Sequence, residues 1–271
     1  MRRLIRSTAL LGIGSAATVV AAILRAKVLA HLLGPEGTGL LAQLSTLTAM
    51  LVPLATLGFG NGVTSMIAGA RARGDVLLAN RVRRTALTLS WLAGVALALL
   101  TAITSPWLAD ALYHDRAWTW VVLAGAVAIP LSAVASLRVS ILQGYEAVKA
   151  MAGLSGIVAA ATIVTIVPLA WFYGLHGAVA QLVIIAVVYV WVSARMVARH
   201  VPPEERGGGE PAPSRIDRAL LRPLLRYGSS ALLVGLSSTL TLLILRSVLV
   251  SKLGLAQNGI YQVCEIGRAH V

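Results

Sequence analysis

The chain has 271 residues, 58% of them hydrophobic and 12% charged, with a mean hydropathy of +0.83 and a formal net charge of +13. Soluble domains carry about a quarter charged residues, so this composition excludes an ordinary soluble domain and points to an integral membrane protein. The excess of base does not mark a nucleic-acid binder, because Lys and Arg stand between apolar segments rather than among aromatics on a soluble surface. The single cysteine, Cys264, rules out an internal disulfide and any multi-cysteine metal site. No His, Cys or carboxylate spacing suits a metal, and no Gly-rich loop follows a strand, so no metal or other cofactor is expected.

A membrane-spanning helix needs about 20 mostly apolar residues. Segments 8–33, 40–67, 85–108, 118–142, 151–173, 177–197 and 228–250 meet that condition, and an eighth begins near residue 256. The apolar run after Met1-Arg2-Arg3 is too long for a cleavable signal peptide. In the first span, Gly14, Thr18, Ala21, Ala22 and Arg25 share one small, polar face, as a cavity-lining helix requires. Lys27 and His31 lie on another side near the outer end and are expected to anchor at the interface. The second span carries a polar ridge that includes Gln43, Thr46, Pro53, Asn61 and Thr64, and a ridge in lipid should face the bundle interior. Interhelical hydrogen bonding accounts for that ridge as well as substrate contact does. Pro53 and the run Gly58–Gly62 should bend or break this helix. The fourth span carries Ser132, Ser136 and Ser140 on one ridge, with Arg138 on a different face near the end of the helix.

The bases sort by side. Arg2, Arg3 and Arg6, then Arg71 to Arg84, then Lys149, then Arg195 to Arg226 all fall on one side if the spans alternate; the other holds Arg116 and Lys252. By the positive-inside rule the N-terminus is cytoplasmic. Segment 199–226 reads as a basic, Pro- and Gly-rich cytoplasmic linker, ending in an amphipathic stretch, between a six-helix bundle at 1–198 and a second bundle starting at 227–264.

One short stretch recurs. "LLGPEGTGLLAQL" (32–44), between the first two spans, has a weaker copy in "VSKLGLAQNGIYQV" (250–263) after the seventh. At a constant offset of 220 residues Gly34 falls on Gly254 and Gly39 on Gly259, while Arg25 and Arg246 stand one position out of register. Glycines at fixed spacing mark a backbone requirement, so the pair points to a duplication with both halves in the same orientation. Gly34, Pro35, Gly39 and Pro53 are the candidate helix breaks.

"LAHLLGPEGTGLLAQL" followed by "LVPLATLGFGNGVTSMIA" resembles the polysaccharide and oligosaccharide flippases of the multidrug/oligosaccharidyl-lipid/polysaccharide exporter superfamily. The resemblance implies an all-α, polytopic bundle in two pseudo-symmetric halves around a central cavity, in the cell membrane. It also implies transfer of an undecaprenyl-diphosphate-linked sugar from the inner to the outer leaflet by alternating access, without enzymatic chemistry. Polysaccharide polymerase and glycosyltransferases would then be partners, with the lipid bilayer. On this reading Arg25 and its counterpart Arg246 hold the diphosphate, since arginine pairs with phosphate oxygens in a forked, bidentate way. Gln43, Asn61, Ser132 and Ser136 meet the sugar. No Asp or Glu falls inside a span, whereas a drug/proton antiporter needs a buried carboxylate. A small-molecule antiporter of the same fold and a non-transporting membrane scaffold remain the alternatives. Residues 265–271 back-translate, after a hybrid Glu265 codon, to ATC GGA AGA GCA CAC GTC, the start of a common DNA-sequencing adapter, so the natural chain is expected to depart from this one there and to continue.

Overall fold

The computed structural model describes residues 2–202 and 217–268. They are helical almost throughout: α1 (Arg2–Ala55), α2 (Phe59–Ala72), α3 (Val76–Ile103), α4 (Ser105–Tyr113), a 3-10 turn (Arg116–Trp118), α5 (Thr119–Gly144), α6 (Val148–His200), α7 (Arg218–Leu253) and α8 (Leu255–Arg268). Water is absent from the bilayer core, so backbone groups must be paired within each segment, and helices do this.

Five of these helices are long and apolar enough to cross a membrane. Two of them, α1 with 54 residues and α6 with 53, would each reach about 80 Å if straight, against a hydrocarbon core of about 30 Å. Each is broken once by a glycine in a non-helical conformation, Gly34 in α1 and Gly174 in α6. Each therefore makes two crossings, and the chain is a multi-pass membrane bundle of seven crossings with an eighth begun. The second crossing is broken again at Leu57 and Gly58, both at positive φ, before α2 continues it. Pro53 lies inside the helix four residues earlier; its carbonyl accepts from Gly58 N at 3.1 Å and from Thr56 Oγ1 at 2.9 Å. The kink expected at Pro53 thus appears just downstream of it. Local caps set other boundaries: the Asp75 carboxylate accepts from Leu78 N at 2.9 Å to start α3, and Asp217 from Ala219 N at 3.0 Å to start α7.

Two apolar clusters hold the bundle at its opposite ends. One joins Leu29, Leu40, Leu44, Leu112, Val121, Ile166 and Val179, near the Gly34 break. The other joins Phe59, Ile67, Val82, Leu137, Ile141 and Val197 and lies at the end bearing Arg71, Arg81 and Arg199. Leu220 and Leu224 of α7 belong to this second cluster, so the stretch expected to be amphipathic is a helical extension of the seventh crossing docked on the first bundle. Residues 203–216 of the linker expected at 199–226 lie outside the described residues. So do residues 269–271 of the stretch expected to be adapter-derived, and the side chains of 265–268.

The repeat has a geometric counterpart. Gly34 sits at φ 67°, ψ −175° and Gly254 at φ 85°, ψ 171°, a region that is essentially open to glycine alone. Five residues on in each copy, the two backbones cross. A Cβ on Gly39 would stand 2.0 Å from the Leu255 carbonyl oxygen, and one on Gly259 would stand 2.0 Å from the Pro35 carbonyl oxygen. Those four positions are related in pairs by the 220-residue offset, so the contact is symmetric. Asn258 Nδ2 donates to the Gly39 carbonyl at 2.9 Å within this crossing. Gly39 is therefore helical and serves close packing, whereas Gly34 is the break.

A side chain at the crossing must separate the two helices. Gly39→Val in the full-length protein should destabilise it by about 1–3 kcal/mol or more, read as a lower melting temperature in detergent. Gly12→Ala, where a Cβ meets nothing within 4 Å, should leave it unchanged. Equal melting temperatures for the two variants would contradict the crossing.

Candidate functional site

Between the two apolar clusters the bundle is hollow, with polar side chains set beside a smaller apolar cluster of Ala55, Ala126, Ile129 and Ala133. Arg25 stands nine residues before Gly34, about 14 Å along the helix axis and so near the bilayer midplane. It lines two adjoining chambers, of about 400 Å³ and about 340 Å³. The first is enclosed by both limbs of α1, α5 and both limbs of α6, and includes Ser45, Thr48, Pro53, Ser132, Thr162, Gln181 and Tyr189. The second runs between the first limb of α1 and the first limb of α6, with Ala21, Ala22, Leu154, Val158 and Ala159 in its walls.

The expected face of the first crossing is the one used. Thr18, Ala21, Ala22 and Arg25 all line the second chamber; Gly14 lies among side chains outside the described set. Lys27 and His31 are exposed, on the other side of the helix. Arg25 is partly buried, and its Nε is inaccessible and lacks a hydrogen-bond partner. Across the first chamber, Gln181 is fully buried; its Nε2 donates to the Thr162 carbonyl at 3.1 Å and its Oε1 has no partner. No carboxylate occurs among the described residues lining either chamber. An intramembrane guanidinium with no carboxylate beside it is costly, and a bound anion with oxygen acceptors would offset that cost.

The remaining sequence-selected residues separate into three places. Ser132 joins Arg25 in the first chamber. Asn61 and Ser136 line a third cavity of about 210 Å³ with Pro53, Thr56 and Leu232 of α7, on the side facing the second half. Gln43 is not in any of these cavities: it is wholly buried, and its Nε2 donates to Ser247 Oγ of α7 at 3.0 Å. Of the two readings of its ridge, interhelical bonding is the one this contact fits. Arg246 is 3% exposed and donates through Nη2 to Gln262 Oε1 of α8, with its guanidinium 5.8 Å from the Tyr261 ring. In this arrangement it ties α7 to α8.

Two features escaped sequence reasoning. Gln181 and Tyr189 lie in the sixth crossing, which is apolar enough that no ridge stood out. Arg138, placed by sequence only on a different face near the end of the helix, donates through Nη1 to the Val190 carbonyl at 2.7 Å, bracing α5 against α6 beside Tyr189.

Chamber access is testable with thiols. With the exposed Cys264 replaced by Ala, Ser132→Cys should react with a small charged methanethiosulfonate reagent. Ser90→Cys, fully buried in α3 and outside the chambers, should not. Equal labelling of the two, read by mass spectrometry, would refute the chamber.

Similarity to known proteins follows this geometry. The sequence profile of a family described as polysaccharide biosynthesis proteins matches residues 4–265. No curated protein matches the chain. Among solved structures, the fold superposes on an inward-facing multidrug resistance transporter of the MATE family, in the MOP superfamily, with TM-score 0.76 at 18% identity, covering 93% of this chain and 60% of that one. It superposes on a MOP superfamily transporter from Pyrococcus furiosus, described by the reversed polarity of its binding pocket, with TM-score 0.77 at 20% identity, covering 98% and 59%. An outward-facing MATE transporter matches with TM-score 0.75 at 18% identity, covering 95% and 58%. At such identities the likeness shows the fold. The chain spans about three-fifths of the length of these structures.

Proposed function

Since the chain belongs to the family of polysaccharide biosynthesis proteins, we propose that it is part of a flippase that carries a lipid-diphosphate-linked oligosaccharide from the inner to the outer leaflet. The observation that carries this reading is Arg25, a fixed positive charge in a hollow mid-membrane chamber with no carboxylate among the described lining residues. A diphosphate supplies the oxygens that the guanidinium lacks, and the surrounding hydroxyls and amide suit sugar. Movement would follow from rocking of one bundle against the other, with the N-terminus cytoplasmic because the Arg71, Arg81 and Arg199 end carries the excess base. The protein makes and breaks no bonds in this scheme and acts as a transporter. Glycosyltransferases would supply its substrate and a polymerase would consume its product.

The MATE-like fold favours a small-molecule antiporter as the second reading. A cationic drug or a proton relay needs a buried acid, and at the described chambers the charge has the opposite sign.

A charged hydrogen bond is worth about 1.5–3 kcal/mol, so Arg25→Gln in the full-length protein should slow flipping of a fluorescent undecaprenyl-diphosphate-linked sugar in vesicles by about ten- to a hundredfold. Arg25→Lys, which keeps the charge without the fork, should fall between. Arg246→Gln, whose partner is Gln262, should act on stability more than on the rate in protein that still reaches the membrane. Wild-type flipping by Arg25→Gln would remove the diphosphate from the mechanism.

A further inference from the structure

The break in the second crossing is a capped helix end set within a membrane helix. Gly58 N donates to the Pro53 carbonyl at 3.1 Å and Leu57 N to the Leu54 carbonyl at 2.9 Å, the nested pair of bonds that closes a helix on a left-handed residue. At the end of α2 the same pair, Asp75 N to the Ala70 carbonyl and Gly74 N to the Arg71 carbonyl, puts Gly74 at the left-handed position. In the second crossing Leu57 holds that position at φ 52°, a backbone that leucine resists, and Gly58 follows at φ 67°. The two donors and two acceptors have another pairing open to them. With Leu57 N on the Pro53 carbonyl and Gly58 N on the Leu54 carbonyl, both bonds are the ordinary ones of an α-helix, and the crossing runs straight. The exchange loses neither bond and relieves both torsions, so a contact outside this helix must hold the bend.

That contact comes from α7. Leu220, Leu224, Gly228 and Leu232 recur every four residues and form one stripe of that helix. Leu220 and Leu224 are buried in the cluster of Phe59, Ile67 and Val82. Gly228 meets the break itself. A Cβ on Gly58 would stand 2.6 Å from the Gly228 carbonyl oxygen and 2.9 Å from the Leu232 side chain, and one on Gly228 would stand 2.7 Å from the Gly58 carbonyl oxygen. Beside this contact lies the cavity of about 210 Å³, lined by Pro53, Asn61 and Ser136 of the first bundle and Leu232 of α7. Along the axis Gly58 is about 36 Å from Gly34, which puts the break at the far boundary of the hydrocarbon core, at the base-rich end.

We propose that the Leu57–Gly58 break is a two-state gate at the base-rich end of the seam between the bundles. Bent, the second crossing seals against α7 at Gly228. Straight, it gives up that contact, and the cavity of Asn61 and Ser136 opens at that end. The bend is held only while the bundles touch there, so an exchange of two hydrogen bonds is coupled to their rocking. This gate rests on the transport scheme proposed above and is independent of which substrate is carried.

The test measures a distance across the seam in the full-length protein with its cysteines replaced. Spin labels go on Arg73→Cys, at the end of α2, and Arg222→Cys, on α7, both exposed positions. Double electron–electron resonance in nanodiscs should resolve a shorter, sealed population and a longer, open one. Leu57→Gly removes the resistance to the bend and should raise the sealed-to-open ratio about tenfold. Leu57→Val, β-branched at a left-handed position, should lower the ratio by a similar factor, as should Gly58→Ala, whose methyl group meets the Gly228 carbonyl. Gly235→Ala, where a Cβ meets nothing within 4 Å, should leave it unchanged. One distribution shared by wild type, Leu57→Gly and Leu57→Val overturns the gate, as does a shift of the two Leu57 variants in the same direction. If wild type flips the lipid-linked sugar in that event, the flippase reading stands without the gate. If the ratio moves as stated but no sugar is flipped, the gate stands and the flippase reading falls.

Discussion

Two helices that start at equivalent points of the repeat cross so closely at Gly39 and Gly259 that neither position has room for a side chain. This contact depends on what precedes it. Gly34 and Gly254 turn the chain through a backbone conformation open only to glycine, so the helix direction changes at equivalent points of the two copies. In a bilayer, where apolar burial adds little between helices, close backbone packing is a principal source of association. The crossing fixes how the second half begins against the first. Gln43, on one of the crossing helices, donates to Ser247 of α7, the helix that leads into the other.

Away from the crossing, the bundle is tight at its ends and open in its middle. The two apolar clusters pack aliphatic side chains to near-complete burial, while cavities lined by polar and aliphatic side chains together lie between them. Many hydroxyls there bond to their own helix: Ser45 to the Leu41 carbonyl at 2.8 Å and Thr162 to the Val158 carbonyl at 2.8 Å. Such bonds hide polarity from lipid at little cost and remain exchangeable for a ligand. Arg25 has no such local outlet for its Nε. A second intramembrane arginine, Arg138, shows the contrast: its guanidinium meets a carbonyl across a helix pair, and its role is accordingly structural. The two arginines thus differ in whether the protein supplies an acceptor.

The crossings, their order and the breaks at Gly34 and near Gly58 were legible in sequence because each depends on local properties. Length and apolarity make a crossing, and glycine permits a backbone that other residues resist. The polar face of the first helix was legible for a related reason, since the helical repeat alone brings Thr18, Ala21, Ala22 and Arg25 to one side. The same periodicity grouped Gln43 with Asn61, but the two meet different neighbours. The break at Leu57–Gly58 interrupts the helix between them, so one residue ends in a helix contact and the other beside a cavity.

Local chemistry therefore established a duplicated, multi-pass helical bundle with an arginine on the inner face of its first helix. Which neighbours that arginine meets was beyond it. Gln181 and Tyr189 reach the chamber from more than 150 positions away along the chain, and Arg246 is drawn off to Gln262 by the packing of α7 on α8. Periodicity orients a side chain about its own helix axis, whereas the partner depends on how separate helices are placed, and that placement comes from packing contacts such as the glycine crossing.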